Sequence, residues 1–589
     1  MLGQIIAMLS VSSAVPTVKT SNGTVTGAAK YGVAGFLGIP FAAAPTGALR
    51  FKPPAPHAAW ATPLTATAAG LHCTQGAGPT PPRPPAPPGC DAYCKSHHYK
   101  PDVCHCGVCG SFGGCSFSCT AGGDRHKCPA QPAALPAAVA AGAGAGAGTG
   151  AGAGGSGEDC LFMNAFTPAE QLVAGAPLKP VMFYIHGGGF VGGSATTAWN
   201  LTKLTGHVVF AFQYRLGVLG FLSTDSPPNN LGLADQRFAL QWVRDNAKSF
   251  GGDPEQIMIY GCSAGGASVA GMLTMPSAYG MYKSAGIESP GGHQGWMGCS
   301  ADGACPRGDD DWMSAKLNVA NSLALSQSLG CKDNTDVACM QKLSLSAIYK
   351  PSKRLRFAPA LPAETYPLGQ IQKGKWNKVP VIIGGQSCES CGNALSAFGK
   401  YSRSGVTEAQ FTAALINGGF SGKNGSLVGP DALKTWYAQR IASEGYWRTY
   451  ARIQSDSGHA CSSTLHAKAL GATYSSVWRY FFAYSTNPGE DFGASHGGDE
   501  SWLMDMHEGG TKNEITLSHD MAYWWTSVNA AGDPNSDDNK GAPKWTPYEP
   551  TSAPQAMFLG RDEDPLPRMN SSIDTVRLEC EHWKPYLGW

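Results

Sequence analysis

The five residues Gly261-Cys262-Ser263-Ala264-Gly265 have the types and spacing of an activated serine. In a G-x-S-x-G turn between a strand and a helix, the serine hydroxyl stands out on a strained backbone, and the glycines let strand and helix close together. The N-terminus of the following helix aims backbone N–H groups at the reacting centre. The chemistry would be nucleophilic attack by Ser263, with the Ala264 N–H as one donor to a developing oxyanion. A second segment, "YIHGGGFVGG" (184–193), fits the same chemistry. Only glycine lets a backbone approach a substrate oxygen so closely, so the N–H groups of Gly188 and Gly189 are the expected partners of Ala264. A Gly-Ser loop and a plain glycine turn without chemistry are the bland alternatives. Two independent segments in the order the reaction needs weaken both.

Such residues need a rigid frame, and the surrounding sequence supplies one. "PVMFYIHG" and "HVVFAFQYR" are apolar, β-branched and aromatic runs bounded by Gly or Pro, as buried strands are. "ADQRFALQWVRDNAKSF" places Ala234, Phe238, Trp242, Val243, Ala247 and Phe250 at helical spacing. "GGDP" then stops the helix, "EQIMIYG" reads as another buried strand, and "AGGASVAGMLTMP" reads as a helix ending near Pro276. Strand, helix, strand, sharp turn, helix is the pattern of a parallel α/β sheet.

With these segments in view, the chain resembles the type-B carboxylesterases and cholinesterases. The resemblance rests on "FLGIPFAAAPTGALRFKPP" (36–54), "GEDCLFMNAFTP" (157–168), "HGGGF" (186–190), "YRLGVLGFL" (214–222), "LGLADQRFALQWVRDNAKSFGGDP" (231–254) and "GCSAGG" (261–266). It implies the α/β-hydrolase fold, a mostly parallel central sheet flanked by helices, and ester hydrolysis through an acyl-enzyme with no cofactor or metal. It also implies the rest of a catalytic triad. The family's acid follows a strand in a stretch like "GTNSDEG", and "VPVIIGGQSCES" puts Glu389 there. The family's histidine lies in a "GAxHxxD" loop, and "GASHGGD" puts His496 there. The order Ser, acid, His is that of α/β-hydrolases. His496 would serve as base and then acid, with Glu389 orienting its imidazole.

The family's bridges imply Cys73–Cys160, Cys331–Cys339 and Cys461–Cys580. Cys299 with Cys305, and Cys388 with Cys391, are close enough in sequence to pair, and the latter pair would clamp the acid's loop. Cys262 is then left over. The family usually carries Glu at that position, and loss of that carboxylate should weaken cationic substrates. Between Cys73 and Cys160 there is no tryptophan of the kind cholinesterases use to hold choline. The expectation is a carboxylesterase that is not a cholinesterase.

One segment departs from the rest. "GPTPPRPPAPPG" (78–89) should be stiff and "ALPAAVAAGAGAGAGTGAGAGGSG" (134–157) flexible. Between them lie Cys90, Cys94, Cys104, Cys106, Cys109, Cys115, Cys119 and Cys128. So small a piece builds little core and needs disulfides or a metal. "CHCGVC", with His97, His98, His105 and His126, could ligate zinc, but disulfides are favoured in an oxidising compartment. The reading is therefore a weak signal peptide at 1–14, a hydrolase domain at 15–78 and 158–589, and a Cys-rich insertion at 79–157 that could bind a surface or protein partner.

The bulk numbers agree. A 43% apolar content over 589 residues is enough for a sizeable core. A net charge of +1 gives no reason to expect a nucleic-acid partner. No apolar run is long enough to predict a membrane span, and the polar C-terminus does not look like a lipid-anchor signal. Nineteen cysteines, with sequons at Asn22, Asn200, Asn424 and Asn570, point to secretion or the secretory pathway. The competing function is a non-catalytic, cholinesterase-like adhesion protein, in which the triad is typically broken.

Overall fold

The structure is a computed structural model that describes residues 15–75, 118–121, 124–127, 155–224, 230–291, 313–361, 366–399, 405–422, 428–484, 493–504, 510–535, 541–551, 554–562, 566–570 and 579–584. Eleven strands form its main sheet: β1 (Ala28–Lys30), β2 (Val33–Pro40), β3 (Phe162–Pro168), β4 (Lys179–Ile185), β5 (Val208–Phe212), β6 (Gly252–Cys262), β7 (Ser284–Glu288), β8 (Val381–Gln386), β9 (Val477–Tyr484), β10 (Ala556–Asp562) and β11 (Arg568–Asn570). The spatial order is β11-β10-β9-β8-β7-β6-β4-β5-β3-β2-β1. From β5 through β10 every neighbouring pair is parallel, while β1, β2, β3 and β11 pair antiparallel at the two edges.

The central strands are apolar throughout because both faces are covered. Along β4, Val181, Phe183 and Ile185 enter one core while Met182 and Tyr184 enter the other. Ile257 and Ile259 alternate with Met258 and Tyr260 on β6 in the same way. The first face is covered by α1 (Leu231–Asn246), α2 (Ala264–Leu273) and α4 (Cys461–Gly471). Helix α5 (Lys512–Ala531) covers the second, with Leu517, Met521, Trp524, Trp525 and Val528 at helical spacing. A capping box at Thr511 and Glu514 starts α5.

Two local expectations shift. Helix α1 begins at Leu231 and ends at Asn246, followed by a 3-10 turn at Ala247–Phe250. Trp242, Val243, Ala247 and Phe250 are buried as expected, but Leu233, Ala239 and Leu240 take the core positions assigned to the half-buried Ala234 and Phe238. Strand β6 starts within "GGDP", because Gly252 pairs with Lys179 across a register shift that lengthens the strand backwards.

The expected bridges Cys73–Cys160, Cys331–Cys339, Cys388–Cys391 and Cys461–Cys580 are all formed. Cys299 and Cys305 lie outside the described residues, as do the pairing of the insertion's cysteines and residues 1–14. Short strands His72–Cys73 and Ser156–Gly157 pair side by side, which brings these two distant positions together. The Asn22 amide donates to His57 O at 2.8 Å and accepts from Trp242 Nε1 at 3.1 Å, which ties this sequon's nitrogen into the structure. No helix of the described residues is long and apolar enough to cross a membrane.

Candidate active site

Ser263 stands between β6 and α2 with φ 61° and ψ −127°, a left-handed backbone that a side chain rarely tolerates. Its surroundings hold it there. The Ser263 N–H donates to Glu288 O at 2.9 Å, and Ser263 O accepts from Ala267 N at 2.9 Å. A Cβ on Gly261 or Gly265 would collide with the Ile185 carbonyl, and one on Gly266 would sit 2.5 Å from Glu288 O. The glycines of the motif are therefore required by the close approach of β6, α2, β4 and β7.

The glycine loop comes from the end of β4. A Cβ on Gly187 would lie 2.6 Å from Cys262 O and 3.0 Å from Ser263 Cβ, so this loop is packed directly on the serine turn. Gly188 (φ 108°) and Gly189 (φ 60°) follow in positive-φ conformations, and Val191 N–H and Gly192 N–H fold back onto Gly188 O at 3.1 and 3.0 Å. Among the described residues, no turn or loop hydrogen bond takes up the N–H of Gly188, Gly189 or Ala264.

Glu389 follows β8 and His496 follows β9, at the same C-terminal edge of the parallel sheet as Ser263. Glu389 Oε2 lies 2.7 Å from His496 Nδ1. Glu389 Oε1 accepts from the Gln386 N–H and from Ser289 Oγ, both at 2.8 Å. Burial raises the Glu389 carboxyl, but the hydrogen bond and charge of His496, then His459 and the Gln386 N–H, outweigh it and hold the group below its ordinary value. The His459 ring, from a π-helical turn at Asp456–Ala460, lies 4.0 Å from the His496 ring between centroids. Two loops interlock here: Cys388 N donates to Ala494 O at 3.0 Å, and Ala494 N donates to Ser387 Oγ at 2.8 Å.

Beneath the serine lies a second acidic layer that sequence reasoning missed. Cys262, Glu288 and Asp499 are buried, and their Sγ and carboxylate oxygens lie within 4.8 Å of one another. Trp525 Nε1 donates to Glu288 Oε1 at 2.9 Å, and Tyr480 Oη donates to Asp499 Oδ2 at 2.5 Å. Desolvation, then the charge of Asp499, pushes the Glu288 carboxyl well above its ordinary value. Desolvation pushes Asp499 up to about 6. Two buried carboxyls this close retain a proton between them. The only signal available in sequence was their position, Glu288-Ser289 at the end of an apolar strand and Asp499 inside the "GASHGGD" loop.

Among the described residues, three donor sets have spacing a metal could use: Glu389, His459 and His496; Asp456, Cys461 and Cys580; and the Cys262 layer. The first contains the acid–base pair itself, and the second spends both its thiols on a disulfide.

The chain links these groups in space. Ser263 binds the Glu288 backbone, Ser289 binds Glu389, Glu389 binds His496, and Asp499, three residues beyond His496, meets Cys262 beside Ser263. The chain is also similar to known esterases. The chain is 27% identical to carboxylesterase 1E of Mus musculus over 586 residues, covering 91% of this chain and 89% of that one. It is 29% identical to the para-nitrobenzyl esterase of Bacillus subtilis (strain 168) over 392 residues, 62% of this chain and 61% of that enzyme. A solved PNB esterase structure superposes with a TM-score of 0.66 at 24% identity, covering 96% of this chain and 100% of that one, which shows a shared fold. The sequence signature of the carboxylesterase family matches residues 14–580, and with nearly the whole chain spanned, the protein belongs to that family.

Proposed function

We propose that the protein hydrolyses carboxylic esters with Ser263 as nucleophile, His496 as general base and acid, and Glu389 as the group that orients the imidazole. The observation that carries this reading is the 2.7 Å contact of Glu389 with His496 at the sheet edge where Ser263 is held at positive φ. In the first half-reaction Ser263 Oγ attacks the ester carbonyl carbon while His496 takes its proton. The N–H groups of Gly188, Gly189 and Ala264 stabilise the oxyanion. The tetrahedral intermediate collapses, His496 returns the proton to the departing alkoxide, and the alcohol leaves an acyl-serine. Water, deprotonated by His496, then attacks the acyl carbon; the bond to Ser263 Oγ breaks as His496 returns the proton to that oxygen, releasing the carboxylic acid and restoring free Ser263.

Neutral esters are the favoured substrates. Cys262 puts a thiol beside the nucleophile where the resemblance implies a carboxylate, and the raised Glu288 carboxyl is held toward its neutral, protonated form. Four disulfides among the described residues favour an oxidising compartment for this chemistry.

Hydrolysis of p-nitrophenyl acetate by the purified protein and by Ser263→Ala tests the reading. Wild type should turn over, and the variant should lose activity by at least about 10³-fold. A folded wild type without turnover, or an active Ser263→Ala, would sink it and favour a binding role. Selective turnover of acetylcholine over neutral acetate esters would refute the substrate class alone.

A further inference from the structure

The carboxylate that orients His496 lies inside a C-x-x-C segment. Glu389 and Ser390 are the two residues between Cys388 and Cys391, which are joined in a disulfide. Each end of this bridge is tied to something the site needs. Cys388 pairs with Ser495 in a parallel bridge, one residue before His496, and its N–H reaches Ala494 O at 3.0 Å. Cys391 opens the helix α3 (Cys391–Phe398), which the core anchors through Ser390 N to Ser455 Oγ at 3.0 Å and Asn393 Nδ2 to Gln454 Oε1 at 3.4 Å. The bridge thus fixes the acid's loop between the histidine's loop and a packed helix. Without it, the direct hold across the segment is a Cys391 N to Cys388 O bond of 3.4 Å, long for a backbone hydrogen bond.

The two cysteines are not equally buried. Cys391 is buried and Cys388 half-buried, as are Cys331 and Cys339 respectively, whereas Cys73, Cys160, Cys461 and Cys580 are all buried. An external thiolate can therefore approach Cys388, and the leaving sulfur would be Cys391 at the N-terminus of α3, where a thiolate is stabilised.

We propose that the Cys388–Cys391 disulfide is a thiol-responsive clamp on Glu389, which a dithiol opens, slowing ester hydrolysis, and which an oxidised thiol reagent closes again. In the exchange, one thiolate of the dithiol attacks Cys388 Sγ, forms a mixed disulfide and expels the Cys391 thiolate. The second thiol of the reagent then attacks its own bound sulfur and expels Cys388. The protein bridge gains two electrons and two protons, and the dithiol leaves as a cyclic disulfide. The open loop no longer holds Glu389 against His496. This inference rests on the esterase reading of Ser263, Glu389 and His496 and adds a positioning role for Cys388 and Cys391.

The test uses the full-length oxidised protein and p-nitrophenyl acetate. Turnover is measured before dithiothreitol treatment, after treatment and desalting, and after reoxidation with glutathione disulfide. Alkylation and mass spectrometry identify which bridges have opened. With Cys388–Cys391 open, kcat should fall by about 10- to 100-fold with KM within about 2-fold, since a displacement of an ångström at a positioning group costs that much. Reoxidation should restore it. The variant C388S/C391S should start near the reduced level and ignore the reductant, while C331S/C339S should keep the full response. Unchanged kcat in protein whose Cys388–Cys391 is shown to be open would overturn the clamp. So would a bridge that resists the dithiol, or a folded C388S/C391S with wild-type turnover. Inactive oxidised wild type would instead strike down the esterase reading on which the clamp rests.

Discussion

Carboxyl groups play two opposite parts around the serine turn. Glu389 keeps its charge although buried, because His496, His459, the Gln386 N–H and Ser289 all favour the ionised form. Glu288 and Asp499 have few such donors and are close to each other, so they hold protons above the ordinary carboxylate range. The consequence for stability has a definite sign. Folded Asp499 keeps its proton up to about pH 6, whereas the unfolded chain releases it near pH ~4. Native protein then binds more protons than unfolded protein between these values, so this group's contribution to stability is full below the window and is lost as pH rises through it. Glu389 acts the other way, adding stability above its unfolded value and losing it as pH falls. Asp499→Asn removes the first effect and should give a shallower decline of melting temperature across about pH 4 to 6 than wild type. Parallel melting curves for the two proteins would show that Asp499 is not titrating in that window.

At the scale of elements, the site depends on joints between segments that are far apart in sequence. The stretches "YRLGVLGFL" and "LGLADQRFALQWVRDNAKSFGGDP" meet through Arg215 and Asp235. Asp235 is wholly buried, and it accepts Arg215 Nε at 2.8 Å, Nη2 at 2.7 Å and the Arg215 backbone N at 3.1 Å. This pair docks helix α1 at the loop that follows β5 and supports the Phe190 turn, whose carbonyl accepts Gly217 N at 2.7 Å. Removing one partner leaves a buried charge uncompensated. Asp235→Ala should therefore cost about 3–5 kcal/mol in a chemical denaturation measurement. A loss below about 1 kcal/mol would mean that Arg215 finds water or another partner. The turn glycines form a similar joint, because β6 and α2 pass too near the Ile185 and Glu288 carbonyls for any side chain.

For the whole molecule, the question is how residues 79–157 relate to the domain that carries the site. The strands His72–Cys73 and Ser156–Gly157 lie side by side, and Cys73 and Cys160 are bridged just outside the segment. We propose that the stretch between these two strands is an insertion that the domain can do without, with Ser156 and Gly157 of the expected 79–157 segment belonging to the domain's own pairing. A deletion joining Gln75 to Gly155 should fold, melt within a few degrees of the full chain and hydrolyse a short p-nitrophenyl ester with similar kcat/KM. Bulky esters would then report whether the insertion restricts access to the site. Failure of the shortened chain to fold, with the Cys73–Cys160 bridge unformed, would show that the segment belongs to the domain's core. At the other end of the chain, Cys461–Cys580 closes a separation of 119 residues, worth about 4–5 kcal/mol in the chain-entropy treatment.

Sequence alone determined whatever is encoded by local pattern. The strand and helix flanking Ser263, the glycine run at 187–189 and the apolar strands that end at the site follow from spacing and residue type, because periodicity and turn chemistry are local. Resemblance to a family added Glu389, His496 and three disulfides, two of them between cysteines far apart in sequence. Only the tertiary structure decided the rest. It brought Ser289 under Glu389, His459 against His496, and Glu288 and Asp499 against Cys262. These contacts join segments that lie from a few tens to more than two hundred residues apart, and nothing in a linear pattern specifies which buried polar groups will share a pocket. The parallel sheet sets that partnership by collecting the ends of β6, β7, β8 and β9 along one edge.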